Sequence, residues 1–152
     1  MSLAVYIGLL HGAQTDLGDA FERVAGRHSD EHDVVFACER LARQCRGHVE
    51  RLAPFVEKYG ERGDDEPDRL YAQLFRDEAK GGLGLMRDLN DLYVMASECD
   101  ITWTLIGQGA QGARDPELLE VVEACEGETA IQLKWLRTRL KQAAPQALVV
   151  SS

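Results

Sequence analysis

Basic runs are missing from this sequence, and so is any excess of positive charge. With 17 Lys and Arg against 26 Asp and Glu, the 152-residue chain carries a formal charge of −9. Protein binding to phosphates rests on clustered Lys and Arg, so neither nucleic acid nor an anionic membrane is expected as the main partner. Long apolar runs are absent as well: nothing approaches the ~20 residues that a membrane-spanning helix needs. Residues 3–10, Leu-Ala-Val-Tyr-Ile-Gly-Leu-Leu, follow no Lys or Arg and precede no small-residue cleavage site, which argues against a secretory signal. Cysteine is sparse. Cys38, Cys45, Cys99 and Cys125 form no CxxC pair and are too few for the disulfide framework of a small secreted scaffold, so reduced thiols and a cytoplasmic location are expected.

What the chain does have is helical periodicity, in a length that suits one domain with a real core. Residues 116–143 show it best: Leu118, Val122, Cys125, Thr129, Gln132, Leu136 and Leu140 recur at three- and four-residue steps, while Glu117, Glu120, Glu123, Lys134 and Arg137 point elsewhere. The same spacing predicts a first helix over about 3–27, with Tyr6, Leu10, Ala13, Leu17, Ala20 and Val24 along its seam. His28-Ser-Asp ends it, and Ser29 or Asp30 is placed to cap the next helix. A second helix over about 31–59 carries Val34, Cys38, Leu41, Cys45, His48, Leu52 and Phe55 or Val56, and stops at Tyr59-Gly60. A charged break follows, and Pro67 opens a short amphipathic segment with Leu70, Leu74 and Phe75 inside a crossover spanning 60–82. The third helix, about 83–110, turns Leu85, Leu89, Leu92, Ala96, Cys99, Trp103 and Ala110 inward; Asp115-Pro116 then supplies an N-cap and a first-turn proline for the fourth.

Two helical hairpins joined by a long crossover is a standard bundle topology. The halves echo each other: Ile7-Gly-Leu-Leu through Glu22 aligns with Leu83-Gly-Leu-Met through Glu98 at an offset of 76, and Cys45-Arg-Gly-His48 aligns with Cys125-Glu-Gly-Glu128 at an offset of 80. In these features the chain resembles the ferritin-like superfamily. The resemblance covers nearly the whole chain and implies an all-α, antiparallel four-helix bundle. In members with a di-metal carboxylate centre, the first and third helices each give a glutamate, and the second and fourth each give Glu-x-x-His. Here those two places read Cys45-x-x-His48 and Cys125-x-x-Glu128, so only His48 and Glu128 keep family-type ligand atoms. Glu22 and Glu98 align with each other, yet at ~100° per residue both fall on the far side of their helices from the apolar stripes. An ordinary oxygen-rich di-iron centre is therefore not expected.

Two readings of the altered centre follow. Cys45, His48, Cys125 and Glu128 could hold zinc, iron or another divalent ion through thiolate, imidazole and carboxylate. Alternatively the cysteines are small buried hydrophobes, and His48 and Glu128 form a buried hydrogen-bonded pair with Gln14, Gln132 or Asp100. Four histidines, one of them on a buried seam, are too few for a haemerythrin-like centre. Gly107, Gly109 and Gly112 satisfy the spacing GxGxxG, but no strand leads in and Asp115-Pro116 closes off any helix behind it, so close helix packing explains them better than a dinucleotide. Tyr6, Phe21, Tyr93, Trp103 and Trp135 suit core filling, and a hydrophobic ligand pocket between helices would use the same residues. Ser97 and Thr129 lack a histidine on their own helices, and no thiol has an activating cation nearby. The function expected is that of a ferritin-like bundle without an ordinary di-iron centre, non-catalytic and partner-binding; the alternative is a metal-binding or redox protein using the Cys/His/Glu centre. The apolar tail, Pro145-Gln-Ala-Leu-Val-Val-Ser-Ser, is expected to dock either on its own bundle or on a second subunit, and a homo-oligomer, as a dimer, is expected.

Overall fold

Four long helices account for the architecture of the described residues. The computed structural model describes residues 2–60 and 81–150; the short amphipathic segment expected after Pro67 lies outside them. The helices are α1 (Ser2–Arg27), α2 (His32–Tyr59), α3 (Gly81–Gly112) and α4 (Pro116–Pro145), followed by a π-helical turn at Gln146–Val150. Among the described residues there is no strand, and no helix is long and apolar enough to cross a membrane. α3 runs unbroken through Gly107 and Gly109, which removes the dinucleotide reading. A Cβ at Gly107 would stand 3.2 Å from Val122, and one at Gly109 would stand 2.9 Å from Leu3, so these glycines let α4 and α1 approach closely.

The ends of the helices meet in a consistent pattern. Arg27 and His28, at the close of α1, reach Asp88 near the start of α3, whereas Leu3 at the start of α1 lies against Gly109 near the end of α3. Lys58 and Tyr59 close α2 on Asp115 ahead of α4, while Arg139 late in α4 returns to Glu31 and Asp33. Adjacent helices thus run in opposite senses. α1 packs on α2 and α3, and α4 packs on α3 and α2. Gly60 and Gly81 consequently sit at opposite ends of the molecule, separated by the length of a 28-residue helix, ~42 Å at 1.5 Å per residue.

One cluster of buried apolar residues draws on all four helices, and the inward positions expected for α2, α3 and α4 are almost all buried. α1 departs from expectation at its first turn. Tyr6 is 40% exposed, and Ile7 fills the buried position instead. The reason is that α1 faces two neighbours, so its buried arc spans both the 10, 13, 17, 20, 24 seam and a second one through Ile7, Gln14 and Phe21. Helix α2 also differs at its cap: Glu31, with no side-chain cap bond, occupies the N-cap position rather than Ser29 or Asp30. His28 N–H bonds back to Val24 and Glu31 N–H to His28, so a tight turn carries Ser29 and Asp30 past the point where either could cap. The apolar tail docks halfway, burying Ala147 while Leu148, Val149 and Val150 remain exposed.

Asp115 does cap α4. Its Oδ1 accepts from Leu118 N–H at 3.1 Å, and its Oδ2 accepts from Lys58 Nζ at 2.8 Å and the Tyr59 hydroxyl at 2.6 Å. These donors, Lys58 first and Tyr59 second, hold the carboxyl down to about 2. Asp115→Ala should lower stability by about 1–2 kcal/mol, the usual worth of a lost cap, visible as a reduced urea midpoint at unchanged slope. Because the folded carboxyl titrates below its ordinary 3.8, the wild-type contribution is whole above that pH and disappears as pH falls through about 2; the variant should show less acid sensitivity in that window.

Candidate functional site

A polar layer crosses the middle of the bundle, centred on His48. The helical spacing that buries Cys45 and Leu52 on α2 places His48 on the same inward stripe, where it is 1% exposed. Its Nε2 lies 2.8 Å from Glu128 Oε1 on α4, and its Nδ1 lies 2.9 Å from Gln14 Oε1 on α1. Trp103 of α3 sets its ring perpendicular to the imidazole at 5.7 Å between centroids. All four helices therefore touch one side chain. Gln132, one turn beyond Glu128, donates to Gln44 Oε1 at 3.0 Å and lies 3.9 Å from Cys45 Sγ; the Thr129 hydroxyl is taken up by the Cys125 carbonyl at 2.9 Å.

Electrostatics favour a neutral ring. Burial lowers the His48 pKa, and Glu128 offsets only part of that effect. A neutral imidazole has one N–H, which the carboxylate claims at Nε2, leaving Nδ1 as an acceptor. Nδ1 then needs a donor, and Gln14 Nε2 is a buried nitrogen with no partner while its own carbonyl faces Nδ1. A half-turn of the Gln14 amide satisfies both atoms. The orientation with the carbonyl on Nδ1 suits the imidazolium, which donates from both nitrogens. The Gln14 amide is thus coupled to the charge on His48. Trp103 Nε1 and Gln132 Oε1 are the other buried side-chain atoms in this layer without a partner.

Of the four residues expected to form a metal centre, the structure joins His48 and Glu128 directly and leaves Cys45 and Cys125 one helical turn from each. Among the described residues no group of three or more His, Cys, Asp and Glu side chains is arranged to hold a metal ion. The physical reason lies in the partners. Both imidazole nitrogens face side chains from other helices, and burial pushes the Cys45 thiol up to about 12 and the Cys125 thiol up to about 11, away from the thiolate that metals bind. The residues present do not fit an oxygen-rich di-metal carboxylate centre. Glu22 is exposed and pairs with Arg46 at 3.1 Å, and Glu98 is half-buried on α3, away from the seam that carries Cys99 and Trp103. Asp100 is also half-buried; desolvation, then Glu126, raises its carboxyl pKa.

A second polar cluster joins the end of α1 to the start of α3. Asp88, 3% exposed near the start of α3, stands 2.8 Å from His28 Nε2 and accepts from Arg27 Nη1 at 3.2 Å. The signal available was positional: Asp88 is three residues after Leu85 and four before Leu92, hence on the inward stripe. At the opposite end, Leu3, Tyr6, Leu105, Ile106 and Gly109 line an open apolar groove of about 330 Å³ between α1 and α3.

The fold and its central layer define an all-helical four-helix protein with a hydrogen-bonded polar core. Comparison with protein-family models, curated proteins and solved structures gives no match.

Proposed function

We propose that this chain is a ferritin-like four-helix bundle in which a hydrogen-bonded layer stands where relatives of that fold carry two metals, and that it acts by association rather than by catalysis. The opposed neighbouring helices, and a connection whose two ends lie at opposite ends of the bundle, support the fold assignment. The observation that carries the functional reading is the engagement of both His48 nitrogens, by Glu128 of α4 and Gln14 of α1. A nitrogen held this way coordinates a metal only after surrendering a buried hydrogen bond. Four buried free thiols suit a reducing compartment, in keeping with a cytoplasmic protein.

The competing reading, a divalent metal on Cys45, His48, Cys125 and Glu128, requires two thiols to ionise in apolar surroundings. Elemental analysis of untagged protein from cells grown with ample iron and zinc decides between them. We expect substoichiometric metal, unchanged by His48→Ala; one equivalent or more that vanishes in the variant would establish the metal centre.

A further inference from the structure

The exposed side of α3 carries a pattern that the bundle itself does not use. Leu83, Arg87, Asn90, Val94, Ser97, Ile101, Leu105 and Gln108 follow one another at three- and four-residue steps, the spacing of a helix-pairing seam, on the face turned away from the core. Leu83, Val94, Ile101 and Leu105 are 44–55% exposed. Arg87 is the only full charge among the exposed positions of α3, in a chain where 28% of residues are charged. Depletion of charge together with exposed apolar side chains is the composition of an interface centre.

What covers the seam is indicated by its two ends. One end carries the apolar groove of Leu3, Tyr6 and Leu105; the other carries the exposed Leu148, Val149 and Val150 of the π-helical turn, which packs against α3 and α4. The helices hold groove and tail at opposite ends of the bundle, ~40 Å apart at 1.5 Å rise per residue. A two-fold axis crossing α3 between Ser97 and Glu98 brings the tail end of one copy to the groove end of the other and sets Val94 opposite Ile101.

We propose that a second copy of this chain occupies the seam, in an antiparallel α3-to-α3 dimer with each tail seated in the other copy's groove. Charge favours this occupant. Among the described residues the exposed carboxylates of the helices lie on α1 (Asp16, Asp19, Glu22), α2 (Asp33, Glu39, Glu50, Glu57) and α4 (Glu117, Glu120, Glu123), while α3 carries only the half-buried Asp91, Glu98 and Asp100, so two chains of charge −9 meet with least repulsion along α3, whereas a basic partner is drawn to the other faces. Size is adequate too. A 32-residue helix, ~48 Å long with a contact strip ~10 Å wide, gives roughly 1,000 Å² over both copies before the tails are counted, close to the lower bound for a specific interface. The inference rests on the reading of this protein as one that acts by association, and names its surface.

The test is oligomeric mass by light scattering, with a cross-link to fix the arrangement. The wild type should run at twice the 16.9 kDa chain mass, and Ile101→Glu should raise the dissociation constant by at least about tenfold while leaving the circular dichroism and melting curve of the monomer intact. In the Tyr6→Cys, Val149→Cys double variant, mild oxidation should give covalent dimers, because the added thiols are too far apart to join within one copy and the native cysteines are buried. A wild type that stays at the chain mass at every concentration overturns the proposal, and so does a dimer indifferent to Ile101→Glu. Slow maleimide labelling of a monomeric Ile101→Cys variant would assign the seam to residues 61–80 of the same chain and likewise overturn it. Metal content is independent of all these readouts, so a metal-free monomer sinks the dimer and leaves the polar-layer reading standing.

Discussion

Asp88→Ala should destabilise the bundle by about 3–5 kcal/mol, the range found when one member of a buried charged pair is removed, and should do so without touching the central layer. The carboxylate is 3% exposed and sits between two donors from the end of α1, His28 Nε2 at 2.8 Å and Arg27 Nη1 at 3.2 Å. His28 is itself 7% exposed. Truncation strips a buried partner from the Arg27 guanidinium and the His28 ring and leaves a void between α1 and α3, so two unfavourable changes act at once. Asp88→Asn keeps the volume and one acceptor but loses the charge, and should cost less than Asp88→Ala. Urea unfolding at neutral pH measures both. A loss under about 1 kcal/mol for Asp88→Ala would mean that water reaches Arg27 and His28 as readily as the carboxylate does, the signature of an exposed pair.

That cluster also marks the limit of what periodicity discloses. Helix positions were legible because apolar residues at three- and four-residue steps must face something: Val34 through Phe55 on α2, Leu85 through Ala110 on α3 and Leu118 through Leu136 on α4 are buried as their spacing requires. Asp88 occupies the same stripe, but a charged residue on an inward face is legible only together with its partners, and Arg27 and His28 lie 60 or so residues away in sequence. Tyr6 shows the complementary failure. An aromatic residue in step with Leu10 looks internal, but α1 rotates Ile7 inward and leaves the ring at the mouth of the groove. At the central layer, the paired Cys-x-Gly-His and Cys-x-Gly-Glu segments announced that His48 and Glu128 would meet. Sequence could not disclose that Gln14 of α1 would take the other nitrogen, because that contact depends on how α1 is turned against α2.

The second large effect is expected at His48. His48→Ala should cost about 2–4 kcal/mol: it opens a cavity beside Trp103 and leaves the buried Gln14 amide without its partner, and either change alone is worth ~1–3 kcal/mol. Glu128, with its side chain 43% exposed, can turn to water and adds little to the loss. His48→Gln, which keeps a polar group in the layer, should recover part of the difference. The histidine also imposes a pH dependence whose sign follows from its environment. Burial depresses the folded pKa below the ordinary 6.5, with Glu128 opposing, so between the two values the unfolded chain binds more protons than the folded one. Stability therefore falls as pH drops below about 6.5 and levels off once the folded ring is protonated. Subtracting the stability profile of His48→Gln from that of the wild type isolates this component from the carboxylates that titrate at lower pH. In the same interval ¹⁵N spectra should show the ring passing from the Nε2–H tautomer to the imidazolium, with the Gln14 side-chain amide shifting in step. A flat difference profile would show that Glu128 cancels the effect of burial, and one of opposite slope that Glu128 outweighs it and favours the imidazolium.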